Sequence, residues 1–272
     1  MDKDFNLFCL SLNNNQFQII KDLNYIPVGL GESNFDKLWL RDNHGENISE
    51  KNKYYGELTF HYWFWKNKLD LNSKKWFGFC HYRRFWNQKN QFHMMKTKYL
   101  NDQRLKFIPD EWKNYEVILL KPIYINKLKL SKILKRGLKL IIENPKLLID
   151  KNLRTINFHF DMWHGKQNLK KTINLLEKED RDDFNKFVDS EVSFNPYHMF
   201  FSNSPQLINK YYKSVFLWLS KCEKLLGFKN LHGYEARIYA FLAERYMSYW
   251  FKKNSKYLEW SMLEHDISQD IT

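Results

Sequence analysis

The stretch Trp76-Phe77-Gly78-Phe79-Cys80-His81-Tyr82-Arg83-Arg84-Phe85-Trp86 is an uncharged run that ends abruptly on a histidine and an arginine pair. A short continuous apolar run bounded by polar residues has the pattern of a strand buried on both faces, as in a parallel sheet. Ligands of open α/β sheets sit at the carboxyl ends of such strands. Arginine is scarce, nine residues among 44 Lys+Arg, so two in succession carry information. The guanidinium fork suits bidentate binding of phosphate or carboxylate. Arg83 and Arg84 therefore read as a phosphate site, the alternative being a surface pair bridging to acidic side chains.

Working outward, Phe5–Leu12, Tyr25–Leu30 and Tyr115–Leu120 are further strand candidates, and another lies within Val192–Ser202. A long helix is expected over about Ile48–Lys66, where Tyr55, Leu58, Tyr62 and Trp65 recur at helical spacing as a core face. Asn47 and Glu50 have capping-box spacing. The second half reads as more helical. Ser131–Glu143 carries Leu134, Leu138 and Ile141 on one face, and Leu169, Ile173 and Leu176 mark another helix before the charge run Glu177–Asp183. Ser204-Pro205 opens a helix that Gly227 stops, and a last helix covers about Tyr234–Phe251. Alternating elements of this kind give an α/β fold: a mostly parallel sheet flanked by helices, with a helical C-terminal third.

The densest polar cluster, Arg41 to Asn52, joins a strand region to a helix N-terminus, where free backbone N–H groups receive anions or hydroxyls. Asn52, Gly56, Thr59 and Trp63 form a small, polar stripe that reads equally as a pocket wall or as a well-capped helix below a surface loop. Two aromatic clusters follow, Phe158 to His164 and Phe194 to Phe200. In the first, Asp161 and His164 share a helix face if the helix starts that early, a pairing suited to acid–base work, and Trp163 supplies a ring of the kind that holds sugars. The plainer alternative is an aromatic core with satisfied polar edges. His164 and His198 lack HExxH or comparable spacing, so no metal site is expected. Glu235, Arg237, Glu244 and Arg245 on the last helix read as a solvated face or structural bridges. The triplets Asp2-Lys3-Asp4 and Asp180-Arg181-Asp182 do not follow a buried strand and read as accidental.

Composition narrows the classes. At 43% hydrophobic and 18% aromatic, the 272 residues exclude a disordered chain. Three scattered cysteines exclude a disulfide framework. The acidic start does not resemble a secretory leader, and no apolar stretch approaches the roughly 20 residues of a membrane span. A cytoplasmic setting is expected. The net charge of +13 favours anionic partners, although much of it reflects a Lys- and Asn-rich composition. A nucleic-acid-binding module is a rival reading, but no RNP-type motif is present and the aromatics fall at core spacing.

Tyr25-Ile26-Pro27-Val28-Gly29, the block Asp42 to Asn52, Glu57-Leu58-Thr59 with Tyr62 to Asn67, and His81-Tyr82-Arg83-Arg84 occur in this order. Asn195 to Phe200 and Arg237 to Arg245 continue the series over nearly the whole chain. The sequence thereby resembles the bacterial capsular-polysaccharide glycosyltransferase-like family, long catalogued as a domain of unknown function. The resemblance implies a single GT-A-like domain over 1–272, with a nucleotide-sugar-binding half at 1–125 and a more helical acceptor-side half at 126–272. It implies transfer from a nucleotide-sugar donor to a growing capsular or other cell-surface polysaccharide, or to a lipid-linked glycan. A non-catalytic glycan-binding protein is the alternative.

Family motifs carry over as Asp42, Asn47, Ser49, Asn52, Glu57, His81, Arg83, Arg84, His198 and Arg245. His44 and Glu46 stand where a small hydroxyl and Asp are more usual, which bears on donor preference. The site expectations are Asp42, Asn47, Ser49, Asn52, Glu57, Arg83 and Arg84 for the donor; Trp163, His164, His198 and Arg245 for the acceptor; and Asp161 and His81 for catalysis. His81-Tyr82-Arg83-Arg84 occupies the place of the usual metal-binding DxD, so no cofactor and no divalent metal are expected. Peripheral association with the inner face of the cytoplasmic membrane follows from the charge and the implied lipid-linked acceptors.

Overall fold

A computed structural model describes residues 4–91, 94–229 and 233–270. Its strands are β1 (Phe5–Ser11), β2 (Ile26–Gly29), β3 (Leu40–Arg41), β4 (Trp76–His81), β5 (Arg84–Trp86) and β6 (Met94–Lys96). After these come β7 (Val117–Leu120), β8 (Ile123–Tyr124), β9 (Ser193–Phe194), β10 (Phe200–Ser202), β11 (Tyr257–Trp260) and β12 (Met262–Glu264). The helices are α1 (Phe17–Asp22), α2 (Asn52–Tyr55), α3 (Leu58–Asn67), α4 (Leu100–Gln103) and α5 (Leu130–Glu143). The remainder are α6 (Ile156–His164), α7 (Asn168–Ile173), α8 (Lys178–Ser190), α9 (Pro205–Leu226) and α10 (Ile238–Asn254). None of the described helices is long and apolar enough to cross a membrane.

The chain divides into two compact units, the first of Met1–Lys121, Tyr197–Lys213 and Phe251–Thr272, the second of Pro122–Pro196 and Ser214–Trp250. The first change of unit lies close to the expected division at 125, but two later segments return to the first unit.

The first unit is built on a sheet of order β11-β7-β10-β4-β1-β2-β3. β4, β1, β2 and β3 are mutually parallel, β10 runs against β4 and β7, β11 runs parallel to β7, and β5 joins β4 as an antiparallel hairpin. The sheet is mostly parallel, as expected, because β1 and β4 are apolar on both faces and both faces are covered. Phe8 meets the rings of Phe60, Phe64 and Phe79 at centroid distances of 5.5, 5.2 and 5.8 Å, which seats α3 on one face. Trp76, Trp86 and Trp260 surround Trp112 in a second cluster. Each large side chain so buried contributes about 1.5–3 kcal/mol. The three cysteines are buried and free.

The continuous helix expected over Ile48–Lys66 is broken. A 3-10 turn at Ser49–Lys51 and α2 end at Gly56, whose backbone at φ 55° and ψ −133° cannot continue a helix. α3 then restarts in a new phase. Leu58, Thr59, Phe60, His61, Trp63 and Phe64 are its buried residues, while Tyr62 and Trp65 of the expected core face stay half-buried. Their polar tips reach partners instead: Tyr62 Oη donates to Glu46 Oε1 at 2.7 Å and Trp65 Nε1 to Asn209 Oδ1 at 2.7 Å. The capping box does not form either, since Asn47 Oδ1 accepts from the Ser49 amide, closing a short local turn.

The strand expected within Val192–Ser202 is two short strands, β9 and β10, which pair in different sheets. Between them Tyr197 and His198 both adopt positive φ, 69° and 50°. Two consecutive non-glycine residues in that region are strained by about 1–3 kcal/mol each.

In the second unit α5, α6, α7 and α8 pack together beside the β8–β9 pair. The charge run Glu177–Asp183 enters α8, with Glu179 and Asp180 in the first turn, where the helix dipole favours anions. Asp180 Oδ1 accepts from Tyr249 Oη at 3.0 Å, so the Asp180-Arg181-Asp182 triplet belongs to packing. On α5 the buried residues are Ile133, Gly137 and Ile141. Leu134 and Leu138, which the helical spacing grouped with Ile141, are exposed.

Candidate functional site

The register of the first unit brings four strand ends level. Ser11 of β1 pairs with Gly29 of β2, Gly29 with Arg41 of β3, and Leu10 with His81 of β4. The chain leaves these ends as loops, and there the expected donor residues gather.

Asp42 follows β3 directly and is buried, and neither of its carboxylate oxygens has a hydrogen-bond partner among the described residues. Burial pushes its carboxyl above the usual range, with the Thr59 hydroxyl the main opposing influence and Arg41 and His44 adding to it. Asn52 contacts the same Thr59 hydroxyl that acts on Asp42. Its Nδ2 donates to Gly56 O at 2.9 Å and to Thr59 Oγ1 at 3.1 Å, so it closes the helix break. Its Oδ1 lies 3.2 Å from where a Cβ on Gly31 would stand, and Gly31 has φ +75°, so this approach requires glycine. Arg41 pins the same loop, donating from Nη2 to Gly31 O at 2.7 Å while stacking 4.6 Å from the Phe35 ring.

Asn47 and Ser49 bond each other, with Ser49 Oγ donating to Asn47 Oδ1 at 2.9 Å, so they shape the approach to α2. Glu57 is half-buried immediately before α3. His81 is half-buried as the last residue of β4, and it pairs with Arg84 across the β4–β5 hairpin whose turn is Tyr82-Arg83. Arg83 is exposed, lies 4.7 Å from the Tyr82 ring and meets Asp266 only at 4.0 Å. Arg84 is half-buried and its guanidinium carbon lies over the Tyr197 ring, 3.9 Å from its centroid. A residue in a strained conformation thus supports an arginine at the strand end.

His198 is fully buried in the same unit, where Tyr211 Oη lies 3.3 Å from its Nε2 and the His61 ring is 5.8 Å away. Among the described residues no three His, Cys, Asp or Glu side chains converge as a metal-ligand set.

The remaining expected residues fall in the second unit. α6 starts early enough to place Asp161 and His164 one turn apart, but they do not face one way. His164 is buried, stacks on Phe241 at 4.2 Å, and is pushed down to about 2, first by burial and then by Arg245 and His159. Arg245 is likewise interior: its Nη1 donates to Glu244 Oε2 at 2.6 Å and its guanidinium lies 4.3 Å from the Phe194 centroid. These two residues belong to a buried polar core. Trp163 is half-buried under Arg136, 4.0 Å away.

Asp161 differs. It is half-buried, accepts from the Gln167 amide at 2.9 Å, and burial raises its carboxyl. It lines an open recess of about 230 Å³ together with Asn144, Thr155, Asn157 and Lys166.

Sequence reasoning missed Gly31, whereas Arg41 and Thr59 already stood in the polar cluster and the small, polar stripe. Gly29-Leu30-Gly31 after an apolar run was the available signal.

A family model described as "Domain of unknown function (DUF4422)" matches residues 10–255. The chain belongs to this family. Among solved structures it is similar to "WbbM bifunctional glycosytransferase apo structure", with a TM-score of 0.62 and 17% identity over 97% of this chain. The chain spans 45% of that protein's length. No curated protein sequence matches it. The likeness shows the fold: α/β, with a mostly parallel sheet flanked by helices, shared with that structure.

Proposed function

We propose that this DUF4422 protein is a glycosyltransferase that moves a sugar from a nucleotide-sugar donor onto a growing capsular or other cell-surface glycan. The observation that carries the reading is the unpartnered Asp42 carboxylate, buried at the level carboxyl ends of β1, β2, β3 and β4. A buried carboxylate without partners costs free energy, and sugar or ribose hydroxyls would supply the missing donors. The close approach of Gly31 and Asn52 follows β2, and Glu57 and His81 stand before α3 and at the end of β4.

The donor's diphosphate is assigned to Arg84 and Arg83, with cationic side chains taking the part that a metal plays in related chemistry. In the second unit the Asp161 recess, with Thr155 and Asn157, is assigned to glycan hydroxyls. The +13 charge, together with lipid-linked acceptors, supports a position at an anionic membrane surface in the cytoplasm.

A thermal-shift screen against a panel of nucleotide sugars tests the donor assignment. Binding at one hundred times Kd stabilises by about 2.7 kcal/mol, which for a chain of this size raises Tm by roughly 5–10 °C. One donor class is expected to do this. A panel in which no nucleotide sugar shifts Tm removes the reading.

A further inference from the structure

α5 presents an apolar arc wider than the surface that covers it. Its inner part, Ile133, Gly137 and Ile141, packs on α6 with Met162 and Phe158, where Gly137 allows close approach to the Met162 side chain. The adjoining stripe Leu134, Leu138 and Ile142, spaced four apart and therefore on one side of the helix, is 47%, 53% and 70% exposed. Leu130 continues it at the N-terminus, and Ile149 in the following segment is 87% exposed.

The charges around this stripe are predominantly positive. From Lys127 to Lys151 there are eight Lys or Arg and two acidic residues, Glu143 and Asp150. Glu143 is engaged by Lys166 and Asp150 caps the turn at Asn152. Lys132, Lys135 and Lys139 are exposed and form no ion pair with a described residue.

A second copy of the chain would bring this lysine-rich face against its own like charge. The stripe is wholly aliphatic, whereas protein–protein hot spots are rich in Trp, Tyr and Arg. Aliphatic residues bordered by lysines, on a helix too short to span, match an amphipathic helix lying in a lipid interface. We propose that α5 is a membrane-docking helix, with Leu134, Leu138 and Ile142 inserted among acyl chains and Lys132, Lys135 and Lys139 on anionic headgroups. The assignment deepens the membrane-surface reading above, and it is independent of sugar transfer.

The test is flotation of the intact protein with vesicles of phosphatidylcholine alone and of phosphatidylcholine mixed with phosphatidylglycerol. Wild type is expected to bind the anionic vesicles at least about tenfold more strongly, and added salt should weaken binding. Leu134→Ser/Leu138→Ser/Ile142→Ser should keep its Tm, since the stripe makes no core contact, and should lose about tenfold or more in vesicle affinity. Lys132→Glu/Lys135→Glu/Lys139→Glu should abolish the preference for phosphatidylglycerol. Nucleotide-sugar binding by both variants should be unchanged, which separates failure here from failure of the donor assignment. If the serine variant floats as wild type does, α5 is not the docking element. If wild type floats with neither vesicle and instead forms a dimer that the serine variant loses, the stripe is a contact between copies.

Discussion

Asp42→Asn is expected to make the protein more stable and less able to bind its donor. The wild-type carboxylate is buried with both oxygens unpartnered, and an uncompensated buried polar group costs about 1–3 kcal/mol, more when charged. Asparagine leaves its own polar atoms unpaired, so the net gain at neutral pH is about 1 kcal/mol, a rise in Tm of about 2–4 °C. Donor affinity falls about tenfold to a hundredfold, because hydrogen bonds to a charged group contribute about 1.5–3 kcal/mol.

The pH dependence has a definite sign. Burial raises the Asp42 carboxyl in the folded protein, so its favourable contribution is complete below the unfolded pKa and is lost as pH rises through the folded one. The Tm advantage of Asp42→Asn should therefore shrink on acidification. Scanning calorimetry across pH, paired with donor titration of both proteins, checks both parts. A variant less stable than wild type at neutral pH, with unchanged donor affinity, would mean that Asp42 is structural.

Arg84→Ala should reduce donor affinity or turnover by about a hundredfold and Arg83→Ala by no more than about tenfold. The difference follows from placement. Arg84 is half-buried and held over the Tyr197 ring, so little of its freedom is lost on binding, whereas Arg83 is exposed and solvated. Arg84→Lys should recover only part of the loss, since it keeps the charge but not the fork. Sugar transfer should persist in EDTA. Activity that EDTA abolishes and manganese restores, with both alanine variants near wild type, would place the diphosphate on a metal elsewhere.

How much of this was visible in the sequence varies element by element. The strands at Phe5, Tyr25 and Trp76 were legible nearly to their ends because strands covered on both faces are continuous apolar runs. β3, β5 and β12 were not, since each is two or three residues long and exists only through pairing with distant chain, as Leu263 with Phe85. The helix break at Gly56 was hidden because a glycine beside Asn52 and Thr59 also fits a small, polar stripe. The placement of the expected donor residues at strand ends was legible because strand ends in such sheets are predictable places.

The burial of His164 and Arg245 was not legible in the sequence for a physical reason. Aromatic rings around a histidine and an arginine look alike whether they hold a sugar or one another. Only the fold brings Arg245 to Phe194 and His164 to Phe241, and so shows the pair to be interior. Nor does any pattern announce that Asp42, in the ordinary-looking Leu40-Arg41-Asp42, is buried without a partner.

The most direct test of the central claim is equilibrium titration of the protein with a series of nucleoside diphosphates, alongside free glycans and RNA oligomers. One nucleoside diphosphate should bind selectively at one site per chain, and Asp42→Asn should weaken its nucleotide sugar more than the diphosphate alone. Glycan binding with no response to any nucleoside diphosphate would contradict the account in favour of a carbohydrate-binding protein. Preference for oligomers with a steep salt dependence would contradict it in favour of a nucleic-acid binder.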